Sequence, residues 1–389
     1  MLRDAHDGDL HLPMYSNSEG FLDFYIRPSG EAKESARLTI DANANGELAQ
    51  HLIEIRSGDE PDEHMPLPPA KARWQPRRNA RIRPGLELDE CLTFDNEELL
   101  RRDYPPRPDP ELVPAAFDAW RRAVSAPAAA VEPHVTPHPY ADHTYATMNS
   151  VGLGEEESDN WSGFALASGA GTYDWVGGQW NVPGVAGIEL NRRLTICSSW
   201  IGLDGNPGED LVQAGTDTEC TAGHFPGSHV PFAARTYRTW IVFIPIHTGE
   251  QVFTDFQTRP GDLIQCQVYI ANEGGMPSLS GSAAVFYISN LTTGEYINFP
   301  VPRGSVSVRG GQAEWIMERP KINHIPTDLC NYGIARMTTP VAQRVDGAHV
   351  GYFGDDTRRI SMVTDPQRLL SSVSALDTAA MEFTWHAFH

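Results

Sequence analysis

Apolar and polar residues alternate along much of this chain, and the texture of that alternation changes once. In residues 1–70 it is sparse. Phe21-Leu22-Asp23-Phe24-Tyr25-Ile26 and Leu38-Thr39-Ile40 read as short strands between polar turns. Tyr104-Pro105-Pro106-Arg107-Pro108-Asp109-Pro110 has to be extended, because proline fixes φ and pushes the preceding residue toward β or polyproline geometry. Leu112 to Val124 breaks the period of two. Its Phe117, Trp120 and Val124 recur at three-to-four spacing and predict a short helix.

From Asn160 onward strand-like runs follow one another: Trp161–Leu166, Trp175–Val182, Ser199–Leu203, Leu211–Gly215, Tyr237–Ile244, Leu263–Ile270, Ala284–Ser289, Tyr296–Val301 and Ala313–Met317, with Met381–Phe388 as a closing strand. Gly205-Asn206-Pro207-Gly208 and Pro260-Gly261-Asp262 punctuate them, and Thr292-Thr293-Gly294 is a hairpin turn. Short strands at this spacing with almost no helix predict an all-β, antiparallel sandwich or barrel. Ala126 to Pro139, rich in Ala and Pro, reads as a linker. The expected division is an N-terminal mixed extension over residues 1–155 and a β-sandwich over 156–389.

Composition narrows the functions. A hydrophobic content of 40% supports a core, so global disorder is excluded. A net charge of −21 opposes nucleic acid and anionic lipid surfaces, both of which need a basic face. No apolar run is long enough to span a membrane. Met1 to Tyr15 carries Asp4, Asp7 and Asp9 and has no apolar core of the Sec type. Cys91, Cys197, Cys220, Cys266 and Cys330 lack CxxC spacing, which argues against a zinc cluster. The last four leave room for one or two bridges of undefined pairing. HExxH, GxSxG and Asp-Thr/Ser-Gly are all absent, so neither zinc, serine nor paired-aspartate hydrolysis is indicated.

Six segments in order carry a different signal: Asn160-Trp161-Ser162-Gly163, Trp180-Asn181-Val182-Pro183, Ser199-Trp200-Ile201-Gly202-Leu203-Asp204-Gly205, Leu211-Val212-Gln213-Ala214-Gly215-Thr216-Asp217, Asn290-Leu291-Thr292-Thr293-Gly294 and Ala313-Glu314-Trp315-Ile316. Together they resemble the glutamic peptidase (eqolisin) family, across residues 156 to the C-terminus. The resemblance implies a concanavalin/lectin-like jelly-roll sandwich, an acid endopeptidase acting on polypeptides, export from the cell and a removable propeptide. It implies Gln213 and Glu314 as catalytic residues, with Trp161 and Trp200 lining the cleft. We expect a monomer needing no metal or organic cofactor, with neither nucleic acid nor membrane as partner. One departure stands out. Trp240-Ile241-Val242-Phe243-Ile244-Pro245 aligns with a family stretch that is acidic where this chain has Val242, which makes the wall more apolar.

Strand alternation bears on the same residues independently. Leu211, Gln213, Gly215 and Asp217 share one face, and Val212, Ala214 and Thr216 the other; Glu314, Ile316 and Glu318 oppose Ala313, Trp315 and Met317. The apolar sets suit the interface between sheets, which leaves Gln213 and Glu314 to line an exposed groove. There Glu314, with an ordinary pKa of about 4, serves as base toward water and then as acid toward the leaving amine, and Gln213 donates to the oxyanion. Bland readings stand beside these. A strand Glu or Gln is ordinarily solvated. Trp161 and Trp200 suit a core equally well, and Asp204 and Asp217 suit turn caps or an active-site network. The histidines, His224 and His247 among them, read as surface groups. A lectin-like binding module and an inactive relative remain alternatives. For residues 1–155 the choice is between a propeptide, whose basic Lys71–Arg83 stretch would cover an acidic cleft, and a permanent accessory domain.

Overall fold

The computed structural model describes residues 81–138, 148–152, 154–185, 194–205, 210–222, 234–247, 249–364 and 368–389 with their side chains. It gives backbone alone for strands Leu2–Asp4, Gly8–Leu10, Asp23–Ile26, Ala36–Ala44, Glu47–Ile55 and Ala141–Asp142 and for the ends of two others. Two compact units emerge: residues 1–72 with 187–195 and 219–236, and residues 73–186 with 196–218 and 237–389. In the first, Leu2–Asp4, Gly8–Leu10, Ala36–Ala44 and Glu47–Ile55 form a four-stranded antiparallel sheet.

The second unit is the sandwich, as the strand-rich pattern predicts. Its strands are β1 (Trp161–Ala167), β2 (Tyr173–Asn181), β3 (Leu194–Asp204), β4 (Leu211–His224), β5 (Pro231–Ile244), β6 (Leu263–Ala271), β7 (Ala283–Asn290), β8 (Glu295–Pro302), β9 (Gln312–Glu318), β10 (Ile334–Arg344), β11 (Thr357–Thr364), β12 (Arg368–Asp377) and β13 (Ala380–Trp385). The front layer runs β11-β1-β9-β3-β4-β5 and the back layer β8-β7-β6-β2-β10-β13-β12. A β11–β12 pairing joins the two.

The inner faces are those the alternation predicts. Trp315 Nε1 donates to Gly177 O at 2.9 Å, and Trp180 Nε1 donates to Thr216 Oγ1 at 2.8 Å. Gly178 is the point of closest approach, where a Cβ would stand 3.3 Å from Trp315 Cδ1 and 3.5 Å from Ile201 Cγ2. Among the turns, Gly294 takes φ 69° in the expected hairpin, while Asn206-Pro207-Gly208 lies outside the described residues.

Residues 73–155 fall in the same compact unit as the sandwich strands. Helices α1 (Leu88–Thr93), α2 (Asn96–Arg101) and α3 (Pro114–Val124) form an arm within the sandwich unit. Phe117, Trp120 and Val124 join Leu86, Cys91, Leu99 and Tyr104 in one cluster. On another side of α3, Ala116 meets Trp175, Tyr269, Val285 and Val341 on the outer face of the back layer. The proline stretch is extended as expected and accepts from Gln267 Nε2 at Pro106 O, 3.1 Å. The segment expected as a linker instead contributes two short strands, Ala128–Ala130 alongside β8 and Val135–Pro137 alongside Gln251–Phe253. Composition misleads here because edge pairing uses backbone groups that alanine and threonine supply as well as any residue.

Trp120 holds the arm together, fully buried with Nε1 donating to Pro105 O at 3.2 Å. Trp120→Ala is expected to remove about 3–5 kcal/mol of stability, read as a lower urea midpoint and early tryptic cutting within residues 81–125.

Candidate active site

Register places the candidate residues in one row across the front layer. Gly202 on β3 is paired with Glu314 on β9, and Glu314 with Ala165 on β1. On the other side, a Cβ at Gly202 would lie 3.0 Å from Gln213 Cβ on β4. Directly paired residues project to the same face, so Gln213, Gly202 and Glu314 stand side by side, with the two polar side chains flanking a residue that has none. Strands about 4.8 Å apart put their backbones roughly 10 Å from each other, a gap that an amide and a carboxyl span only if nothing rises between them. Any side chain at Gly202 would also stand 2.9 Å from Val212 O and 3.2 Å from Trp200.

Gln213 and Glu314 are both fully buried, and neither carboxyl oxygen of Glu314 nor either polar atom of the Gln213 amide has a hydrogen-bond partner. This corrects the expectation of an open groove. The row lies on the outer face of its layer, where the Glu314 carboxyl is flanked by the turn at Gly205, and Trp161 and Leu211 crowd that same turn. The ordinary carboxyl pKa expected of Glu314 is corrected too. Burial pushes it well above the usual range, and Asp204, Glu156 and Glu318 add to the rise. Burial thus favours the protonated form of Glu314. Buried polar groups without partners each cost on the order of 1–3 kcal/mol and are rare in folded interiors.

Around the row the candidate aromatics are packed rather than open. Trp161 and Trp200 meet edge to face at 4.8 Å and share a cluster with Leu211, Trp240, Val242, Ile316 and Ile360. Val242 therefore does make this wall more apolar. Trp200 Nε1 donates to Glu318 Oε2 at 2.7 Å, and Glu318 Oε1 accepts from Asn160 Nδ2 at 3.2 Å. Asp217 accepts from Trp240 Nε1 at 2.7 Å and from Ser198 Oγ. Asp204 takes φ 64° ahead of Gly205, and its carboxylate accepts from the backbone N–H of Gly310 and Gly311, each at 2.6 Å. It thereby fixes the turn that enters β9. Burial and the neighbouring Asp210 raise Asp204 to about 6.

Three contributors escape a reading that looks for catalytic types: Glu318, Asn160 and Gly202. The first two hold Trp200 in place, and Glu318 is foreshadowed by its even spacing from Glu314. Asn160 and Asn290, each of which opens an Asn-X-Ser/Thr triplet, are fully buried. His247 is half-buried, with its Nδ1 accepting from Phe243 N–H at 3.0 Å and burial lowering its pKa; the side chain of His224 lies outside the described residues. Among the described residues no His, Cys, Asp or Glu cluster has the geometry to hold a metal ion.

The sequence model of the peptidase A4 family matches residues 159–385. No curated protein matches the chain. Among solved structures, scytalido-glutamic peptidase with a peptide-based transition-state analogue is 20% identical, with a TM-score of 0.43 over 59% of this chain and 98% of that one. SCP-B, a member of the eqolisin family in complex with the tripeptide Ala-Ile-His, is 19% identical with a TM-score of 0.42 over 59% and 98%. Aspergilloglutamic peptidase from Aspergillus niger is 20% identical with a TM-score of 0.39 over 49% and 99%. With its family match extending over more than half of its length, the chain belongs to the peptidase A4 family, hydrolases whose substrates are polypeptides.

The buried acids set a pH dependence. Asp204 and Asp174 are both raised to about 6, chiefly by burial, and Glu314 lies well above its usual value. The folded state therefore holds protons that the unfolded chain has released above about pH 4.5. Their stabilisation is complete below that pH and is lost as pH rises through 6 and beyond. The melting temperature is expected to fall by about 5 °C or more between pH 4 and pH 8, and the double variant Asp204→Asn/Glu314→Gln is expected to flatten the slope. Scanning calorimetry across that range is the check.

Proposed function

We propose that this chain is a glutamic endopeptidase held in a closed form, with Glu314 and Gln213 as its catalytic pair. The observation that carries the reading is the row itself: a buried acid and a buried amide, neither with a partner, on either side of Gly202. Once the face is uncovered, hydration returns Glu314 toward an ordinary pKa of about 4.3, so that it ionises in mild acid. Glu314 then takes a proton from water while the water oxygen bonds to the scissile carbonyl carbon. The Gln213 amide N–H donates to the resulting oxyanion. As the tetrahedral intermediate collapses, the C–N bond breaks and Glu314 passes its proton to the departing amine. Trp161 and Trp200 floor the substrate path, while Asp204 and Asp217 hold its walls.

The cover is proposed to leave by cleavage rather than by titration alone. Protonated carboxyls favour the closed face, so acid by itself stabilises it, and Glu314 makes no ion pair that acid could break. Of the basic stretch once expected over the cleft, Lys71–Ala80 lies outside the described residues. Arg81 pairs with Asp103, and Arg83 is buried against Tyr104 and Tyr296. A lectin-like module is the weaker reading. It would offer its tryptophans to solvent, whereas Trp200 and Trp240 give their N–H groups to Glu318 and Asp217, and it leaves the buried acid and amide without a use.

Incubating the full chain with denatured casein at pH 3–4 is expected to give cleavage after a lag, in step with loss of N-terminal mass. Gln213→Ala should lower kcat by about 100-fold or more and Glu314→Gln by a similar or larger factor, with metal chelators without effect. An intact chain that is fully active at once would remove the closed-form part of the proposal. Wild type inert from pH 2 to 7 would remove the peptidase reading.

A further inference from the structure

We infer that the sandwich carries a second binding site, a pocket for a small carboxylate with an apolar tail, on the side opposite the catalytic row. A cavity of about 270 Å³ lies between the last turns of α3 and the outer face of the back layer, next to the β7–β8 hairpin. Gln179 in its wall shares a strand face with Trp175, which is the face α3 covers. The catalytic row projects from the outer face of the other layer, so the two sites lie back to back and the pocket is no part of the peptide groove.

Two guanidiniums line the cavity, and neither has a carboxylate partner. Arg83, 5% exposed, rests between the rings of Tyr104 and Tyr296, each 4.5 Å from its guanidinium carbon. One of its terminal nitrogens donates to Asp103 O and Tyr287 Oη, and its Nε–H has no partner at all. Interior charges are ordinarily paired. Asp103 lies close by, its carboxylate accepting from Tyr296 Oη, and Glu295 lines the cavity, yet among the described residues no carboxylate bonds to the Arg83 guanidinium, which leaves its Nε–H for a bound acid. Arg122 is exposed at the cavity's edge and free of any ion pair, which makes it the entry-side cation. Arginine meets carboxylates through paired, charge-assisted hydrogen bonds.

Ala119, Ala123, Leu263 and Leu291 supply apolar walls, while Gln179, Ser289, Asn290 and the carboxylate of Glu295 add polar groups to the lining. An inorganic anion would leave those walls unfilled. The space is about nine times the ~30 Å³ share of a single water, too large for an ion and too small for a folded segment. A carboxylate carried on a branched aliphatic tail fits both the charge and the walls. The same chemistry is offered by the C-terminal residue of a peptide and by a free short-chain acid.

The test uses the full chain at pH 7, where the probe is ionised and turnover is not expected, with binding followed by calorimetry and thermal shift. N-acetyl-leucine is expected to bind saturably with Kd on the order of 1 mM or tighter, while N-acetyl-leucinamide, which has the tail without the charge, gives no saturable signal. Arg122→Gln, at an exposed position, should weaken the acid by on the order of tenfold, and raised salt should weaken it further. Adding 4-methylpentanoate identifies the source. Tighter binding of N-acetyl-leucine marks a peptide terminus, and equal binding marks a free acid. No saturable binding of either acid would overturn the proposal. So would equal binding of acid and amide, or an unchanged affinity in Arg122→Gln. Because the readout is binding, a chain inert as a peptidase leaves this result standing.

Discussion

The spacing of hydrogen-bonded strands governs this molecule's chemistry. An acid on β9 and an amide on β4 are separated by one strand, and no rotamer can shorten that interval. What can vary is the residue in between, and the chain has glycine there. The surrounding architecture serves to keep that interval fixed. Trp315 and Trp180 lock the front layer to the back one through N–H donations across the interface, and Asp204 ties the turn that leads into β9. The side chains that could act are thereby set by the ladder rather than by a loop, and a ladder tolerates little displacement.

Position and ionisation pull in opposite directions here. The enclosure that fixes Glu314 also disfavours its charged form, since burial is the largest cause of its raised pKa and the nearby acids add to it. A protonated carboxyl can donate but cannot take a proton from water. The packing that fixes where Glu314 stands is therefore the same packing that disfavours its charge.

Much of this was legible in the sequence. Alternation along Leu211–Asp217 and Ala313–Glu318 separated inner from outer residues correctly, because a strand's period is a property of its backbone. Helix α3 and the hairpin at Thr292–Gly294 were readable for the same local reason. What the pattern could not say was whether anything rests on the outer face, and so it left Gln213 and Glu314 in solvent. Alternation assigns a side, not an environment. The arm was missed as part of the sandwich because a proline stretch and three short helices look detachable until Ala116 and Gln267 show where they rest. The Ala- and Pro-rich segment was misread because it pairs through its backbone.

All five cysteines are buried and free, and burial pushes the thiols of Cys91 and Cys266 up and away from reactivity. A protein that folds without covalent cross-links has a conformation indifferent to the redox potential around it. Glutathione has no bond to break here, and an oxidising compartment supplies none that the architecture requires. What holds the sandwich together is therefore packing and hydrogen bonding, with no S–S bond among its five thiols.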